Sequence, residues 1–185
     1  DVHHGNGTQW IFYDDPSVLY VSTHQYPFYP GTGAATDVGT GSGLGFTLNI
    51  PIEAGAGDAD FDLLYRQIVI PVITSFQPDI LLVSAGFDAH QRDPLGGMKV
   101  STAGYANMTS QLQTVADACC QGRMVTVTEG GYDLMALRDC LTDTLRVMSS
   151  PSATLERPNA TSPSERAQIA LEAVKDAQSS FWPAL

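Results

Sequence analysis

The chain has 185 residues, 43% of them hydrophobic, which suffices for one domain with a substantial core. Its 20 acidic against 9 basic residues give a net charge of -11, which argues against a nucleic-acid or anionic-membrane surface, because phosphates are held by Lys and Arg. No stretch approaches the roughly 20 apolar residues of a membrane-spanning helix, and no basic start precedes an apolar signal segment, so the expected compartment is cytoplasmic.

In chain order, VLYVSTH (18–24) is β-branched and aromatic, as a buried strand should be, and it runs into a Pro- and Gly-rich stretch, 27–45, that reads as a long functional loop. FTLNIPI (46–52) reads as a short strand, and 58–76 as a helix with a kink or break at Pro71. DILLVSAG (79–86) is a continuous apolar run, the pattern of a parallel strand covered on both faces. Residues 101–121 read as a helix capped by Ser101 or Thr102, RMVTVTEGG (123–131) as a strand entering a glycine turn, and 134–148 as a helix. Cys119 and Cys120, adjacent, and Cys140 form no CxxC spacing and read as reduced structural residues. Residues 149–162 read as a linker and 163–179 as a terminal helix. Strand, loop and helix alternating in this way predict an α/β fold: a parallel sheet with helices on both faces and ligands at the carboxyl ends of the strands.

The candidate chemistry sits at those ends. Asp1 and His3 are two apart, so at a strand end their side chains would face one metal ion while His4 points the other way. A DxH alone fits a solvated turn better. Asp88, just past DILLVSAG, changes that balance: two carboxylates and one imidazole leave a position on zinc open for water or substrate. Tyr132, in EGGYD, would reach the same rim, where a phenol can donate to an oxyanion; a tyrosine closing a glycine turn is an equal reading from spacing alone.

The segments DVHHGNGTQWIFYDDPSVLYVSTH, FYPGTG, SAGFDAHQRDPLGG and EGGYD, in this order across residues 1–148, resemble the class II histone deacetylases and histone-deacetylase-like amidohydrolases of the arginase-deacetylase superfamily. The resemblance implies a three-layer α/β sheet, with 1–148 the C-terminal part of a catalytic domain, 149–162 a linker and 163–185 a terminal helix and tail. It implies that Asp1, His3 and Asp88 hold Zn2+ and that Tyr132 polarises the acetyl carbonyl, with an amine and acetate as products. These ligands accept ferrous iron as well as zinc. It further implies K+ or another monovalent cation beside the zinc site, at Asp1, His3, Ser22 and Thr23, and a second at Phe12, Asp15 and Val18, largely through backbone carbonyls. Tyr29 would line the acyl-lysine tunnel, Leu95 its mouth, and Gly130 and Gly131 would let the backbone approach the acyl group.

Leu95 replaces the acidic residue of acetylpolyamine-selective members and favours acyl-lysine; Glu129 follows the class II form, and Tyr132 in place of histidine the competent subclass. The family's general base and acid are a histidine pair upstream of DxH, and this chain opens at Asp1, so a fragment is expected. Such a fragment has an exposed sheet edge, depends on association or oligomerises, and turns over poorly alone. The readings are therefore an acetyl-lysine deacetylase, a deacetylase of acetylpolyamines or other small acetylated amines, and a non-catalytic metal-binding remnant. None uses direct nucleic-acid or membrane contact.

Overall fold

In the computed structural model, residues 1–149 and 162–185 are described. The expected linker at 149–162 lies, but for its two end residues, outside the described residues. The elements are α1 (Asn6–Ile11), β1 (Tyr20–Gln25), β2 (Thr47–Ile52), α2 (Asp58–Leu64), α3 (Ile70–Phe76), β3 (Leu81–Ala85), α4 (Thr102–Cys120), β4 (Met124–Thr128), α5 (Leu134–Ser149) and α6 (Glu165–Gln178).

Among the described residues all strand pairing is parallel, as the βαβ-type spacing predicts. β1 pairs β2 from Tyr20 opposite Thr47 to Gln25 opposite Ile52, and β3 pairs β4 from Leu81 opposite Met124 to Ala85 opposite Thr128. The described residues thus form two two-stranded ladders rather than one continuous sheet. Between them lies a cavity of about 70 Å³ whose walls include Thr23 of β1, Val83 and Ala85 of β3, and Tyr65 and Tyr105 from the helical side.

β2 is the best-buried strand. Leu48, Ile50 and Ile52 are inaccessible to solvent, each contributing roughly 1.5–3 kcal/mol by leaving water. The neighbouring side of the strand is closed by α6, whose Gln178 donates from Nε2 to the Thr47 carbonyl at 2.7 Å, while Trp182 donates from Nε1 to the Gly45 carbonyl at 2.8 Å. The C-terminal helix is thereby part of the core, burying Ala167, Ala170, Leu171 and Val174.

The helix predicted over 58–76 is broken one turn earlier than Pro71. Residues 65–69 widen into a π turn between α2 and α3. Proline has no N–H and its ring crowds the carbonyl four residues back, here Gln67, and a wider turn relieves that crowding. α4 starts at Ser101, whose hydroxyl accepts from the Gly104 N–H at 3.1 Å and is itself bound to Asp58, and it stops at Gln121, whose φ of 56° is left-handed.

The expectation that β3 is covered on both faces is corrected. Its side chains alternate: Leu81, Val83 and Ala85 pack toward the core, while Leu82 is 69% exposed. Val125 and Val127 of β4 are also exposed, so no element among the described residues packs on that apolar face. α1 carries no forecast in the sequence; it is a six-residue helix between the DxH segment and β1.

Candidate metal centre

Residues 1–4 have no strand geometry, contrary to the expectation that a strand end orients Asp1 and His3. Tertiary hydrogen bonds do it instead. The Val2 N–H donates to Asp88 Oδ1 at 2.7 Å and the Val2 carbonyl accepts from the Gln25 N–H at 2.9 Å. The segment is therefore pinned between the end of β1 and the loop after β3. Within it, the His3 N–H donates to Asp1 Oδ1 at 2.7 Å, which bends the aspartate back over the imidazole.

Asp1, His3 and Asp88 then each offer one ligand atom within 4.8 Å of the others. His3 Nδ1 lies 3.1 Å from Asp1 Oδ1 and 3.2 Å from Asp88 Oδ2. His3 Nδ1 bonds Asp1 Oδ1, while Asp88 Oδ2 stands at ion-pair distance from the ring but with no hydrogen bond. Asp88 is fully buried, and a buried carboxylate oxygen without a donor is costly. A cation bound by both carboxylates and the imidazole nitrogen removes that cost, and this donor set suits zinc with an open position. The residues present fit the metal.

The backbone closes over these ligands because side chains are missing where they would collide. A Cβ on Gly130 would run into the Asp88 carboxylate, one on Gly86 into Asp1, and one on Gly96 into the Asp88 carbonyl. Phe28 stacks on His3 with ring centroids 5.4 Å apart and Tyr29 meets the same ring edge-on at 6.1 Å, forming one wall. Tyr29 is 77% and Leu95 56% exposed, as groups at an opening would be.

Tyr132 is half exposed, and its backbone rather than its hydroxyl is tied down: its N–H donates to Asp93 Oδ2 at 2.8 Å. Asp93 is buried, and its other oxygen accepts from the N–H groups of Leu95 at 2.9 Å and Gly96 at 3.2 Å. The same two loops meet again where the Phe87 N–H donates to the Gly130 carbonyl at 2.7 Å and where Arg92 lies 3.6 Å from Asp133.

The remaining histidines serve the scaffold. His4, buried as expected, bonds Thr32 Oγ1 and Gln9 Oε1, both at 2.8 Å. His24 Nε2 donates to the Gly33 carbonyl at 2.8 Å, which leaves Nδ1 to accept from the Ser22 hydroxyl at 3.0 Å. Burial holds His24 neutral, lowering its pKa to about 4, and lowers that of His4. His90 is buried, accepts the Arg92 N–H on Nδ1 at 3.1 Å, and also has its pKa lowered by burial.

Ser22 and Thr23 lie on β1 beside His24, and Thr23 borders the same cavity as Asp1. Phe12, Asp15 and Val18 form the turn between α1 and β1: the Asp15 N–H donates to the Phe12 carbonyl and the Val18 N–H to the Asp15 carbonyl. Asp15 Oδ1 caps Ser17 through both its N–H and its hydroxyl. Gly131 has φ 141° and backs onto Phe87. The residues that sequence reasoning missed are Phe28, Gly86, Gly96 and Asp93. FYPGTG and SAGFDAHQRDPLGG contained all four, but nothing in a residue's identity says that its backbone or carboxylate faces a neighbouring loop.

Residues 1–148 match the family described as Histone deacetylase domain. Histone deacetylase 15 of Arabidopsis thaliana is 42% identical over 100% of this chain, which spans 34% of that protein's length. Human histone deacetylase 9 is 48% identical over 75% of the chain, covering 14% of its own length. The structure of the histone deacetylase Clr3 superposes with a TM-score of 0.92 at 38% identity over 100% of this chain and 31% of that one. The chain spans about a third of the length of the first of these relatives, and it belongs to the histone deacetylase domain family.

Proposed function

We propose that this chain carries the metal-binding part of a zinc-dependent deacetylase acting on acetyl-lysine peptides. The observation that carries the reading is the convergence of Asp1, His3 and Asp88 with one Asp88 oxygen left without a donor in the interior. Zinc, when bound there, supplies Lewis acidity that makes water a better nucleophile at neutral pH and polarises an amide carbonyl. The chain's own groups do the rest that falls to it. Tyr132 donates its phenolic hydrogen to the acetyl oxygen as negative charge develops. Phe28 and Tyr29 flank an acyl chain against His3, and Gly130 and Gly131 let the backbone come close to it. Net reaction is amide plus water to amine plus acetate.

Moving the protons of that reaction needs a base near the water, and the chain's four histidines are committed elsewhere: His3 to the ligand cluster, the other three to buried hydrogen bonds. The resemblance assigns that proton transfer to a histidine pair upstream of the DxH segment. A sheet continuous across both ladders fits the same picture. Among the described residues β1 and β3 each leave one edge without a partner, and the cavity lies between them; a strand from the rest of the domain seated there yields the three-layer sheet, with helices over the open Leu82, Val125 and Val127 face.

K+ binds through backbone carbonyls near Ser22 and Thr23 and around Phe12, Asp15 and Val18. The protein works in the cytoplasm. Exposed, apolar Leu95 offers no charge to a second amine, which favours acetyl-lysine over acetylpolyamines. The test is turnover by the full-length, zinc-loaded protein on acetyl-lysine peptide and on acetylated polyamines. Hydroxamate-sensitive acetate release from the peptide is expected, and its absence overturns the reading; preference for the polyamine moves the substrate class.

A further inference from the structure

Beyond the ligands and the phenol, we propose that Asp93 is a positioning residue that sets the place of Tyr132 and Leu95 relative to the metal ligands. This rests on the reading of Tyr132 given above. The two oxygens of one buried carboxylate divide between two loops. Oδ2 takes the Tyr132 N–H at 2.8 Å; Oδ1 takes the N–H groups of Leu95 at 2.9 Å and Gly96 at 3.2 Å. Gly96 lies against the carbonyl of Asp88, with no room for a Cβ. The residue bearing the phenol, the mouth residue and Gly96, which packs against the Asp88 carbonyl, are thus held by three hydrogen bonds to one side chain.

Charge-assisted bonds of this kind are short and directional, and the Asp93 backbone is itself fixed by its N–H donating to the His90 carbonyl at 2.8 Å. No other side chain anchors the Tyr132 N–H among the described residues. Tyr132 itself is 54% exposed, so packing does little to hold it and the tether to Asp93 does more. Losing a hydrogen bond that orients a reacting group costs about 10–100-fold in activity, and a misplacement of about 1 Å can do the same.

The experiment is a double-mutant cycle in the full-length, zinc-loaded protein with Asp93→Asn and Tyr132→Phe, together with amide hydrogen exchange. Asn keeps the size but turns one acceptor into an NH2 group facing a donor. Expected for Asp93→Asn are a kcat lower by about 10–100-fold, KM changed by less than about 3-fold, unchanged zinc content, and faster exchange at Tyr132, because the amide oxygen keeps the two donors of Leu95 and Gly96 and the NH2 group faces the one from Tyr132. In the Tyr132→Phe background the same change should cost less than about 3-fold, because Asp93 acts through the phenol. Equal losses in both backgrounds, or unchanged exchange at the Tyr132 amide, overturn the proposal. If Tyr132→Phe leaves turnover intact, the reading of Tyr132 falls and the proposal with it. Should Asp93→Asn fail to fold, Asp93→Glu, which keeps the charge on a longer arm, takes its place with the same expected cycle and the same overturning result.

Discussion

Gly130 passes so close to Asp88 that a single methyl group would displace its carboxylate, whose Oδ2 has no hydrogen-bond donor. Gly130→Ala should therefore weaken zinc binding by about 10–100-fold while the far-ultraviolet circular dichroism stays native. Gly7→Ala is the control, since nothing lies within reach of its Cβ. Equal zinc affinity in the two variants would contradict the account. At this scale the sequence pointed to which side chains meet: Asp1, His3 and Asp88 stand together as their types and order imply. It was silent where a residue acts through its backbone or its absence of side chain, as Gly86 and Gly96 do, or through backbone donors in two loops, as Asp93 does. The reason assigned for the Asp1–His3 pairing, strand alternation, was not the operative one; the Val2 bonds to Asp88 and Gln25 turn the segment.

Helices α4 and α5 pack against each other through Cys140, which is fully buried and bonds Thr102 Oγ1 at 3.7 Å. Burial pushes its thiol from an ordinary 9.0 up to about 11. The folded form therefore keeps a proton that the unfolded chain releases, so this contribution to stability is complete below pH 9 and is lost as pH rises toward 11. Urea midpoints measured from pH 8 to 11 should fall less steeply in Cys140→Ala than in the parent, and parallel curves would contradict the burial. At pH 8 the half-buried Cys119 should alkylate before Cys120 and Cys140. Most elements were legible because their periodicity is local: β1, β2, β4, α4 and α5 lie where the pattern puts them. The break before Pro71 came a turn early because a proline perturbs the turn preceding it.

Over the whole molecule, the parallel α/β character follows from the alternation of strands and helices, whereas the covering of β3 did not. A run such as ILLVSA states that both faces of a strand are apolar, and cannot state whether the element that covers the second face lies within the same 185 residues. With Leu82, Val125 and Val127 open, the isolated chain should self-associate in sedimentation velocity at micromolar concentration, and Leu82→Lys combined with Val127→Lys should reduce it. Identical sedimentation of parent and variant would place the association elsewhere.

The account as a whole stands on the three converging ligands, and zinc content after dialysis tests it most directly, comparing the protein with its Asp88→Asn variant, in which Oδ1 can still accept the Val2 N–H. The account predicts about one zinc per chain in the parent and its loss in the variant. A parent without zinc, or a variant that retains it in full, would contradict it.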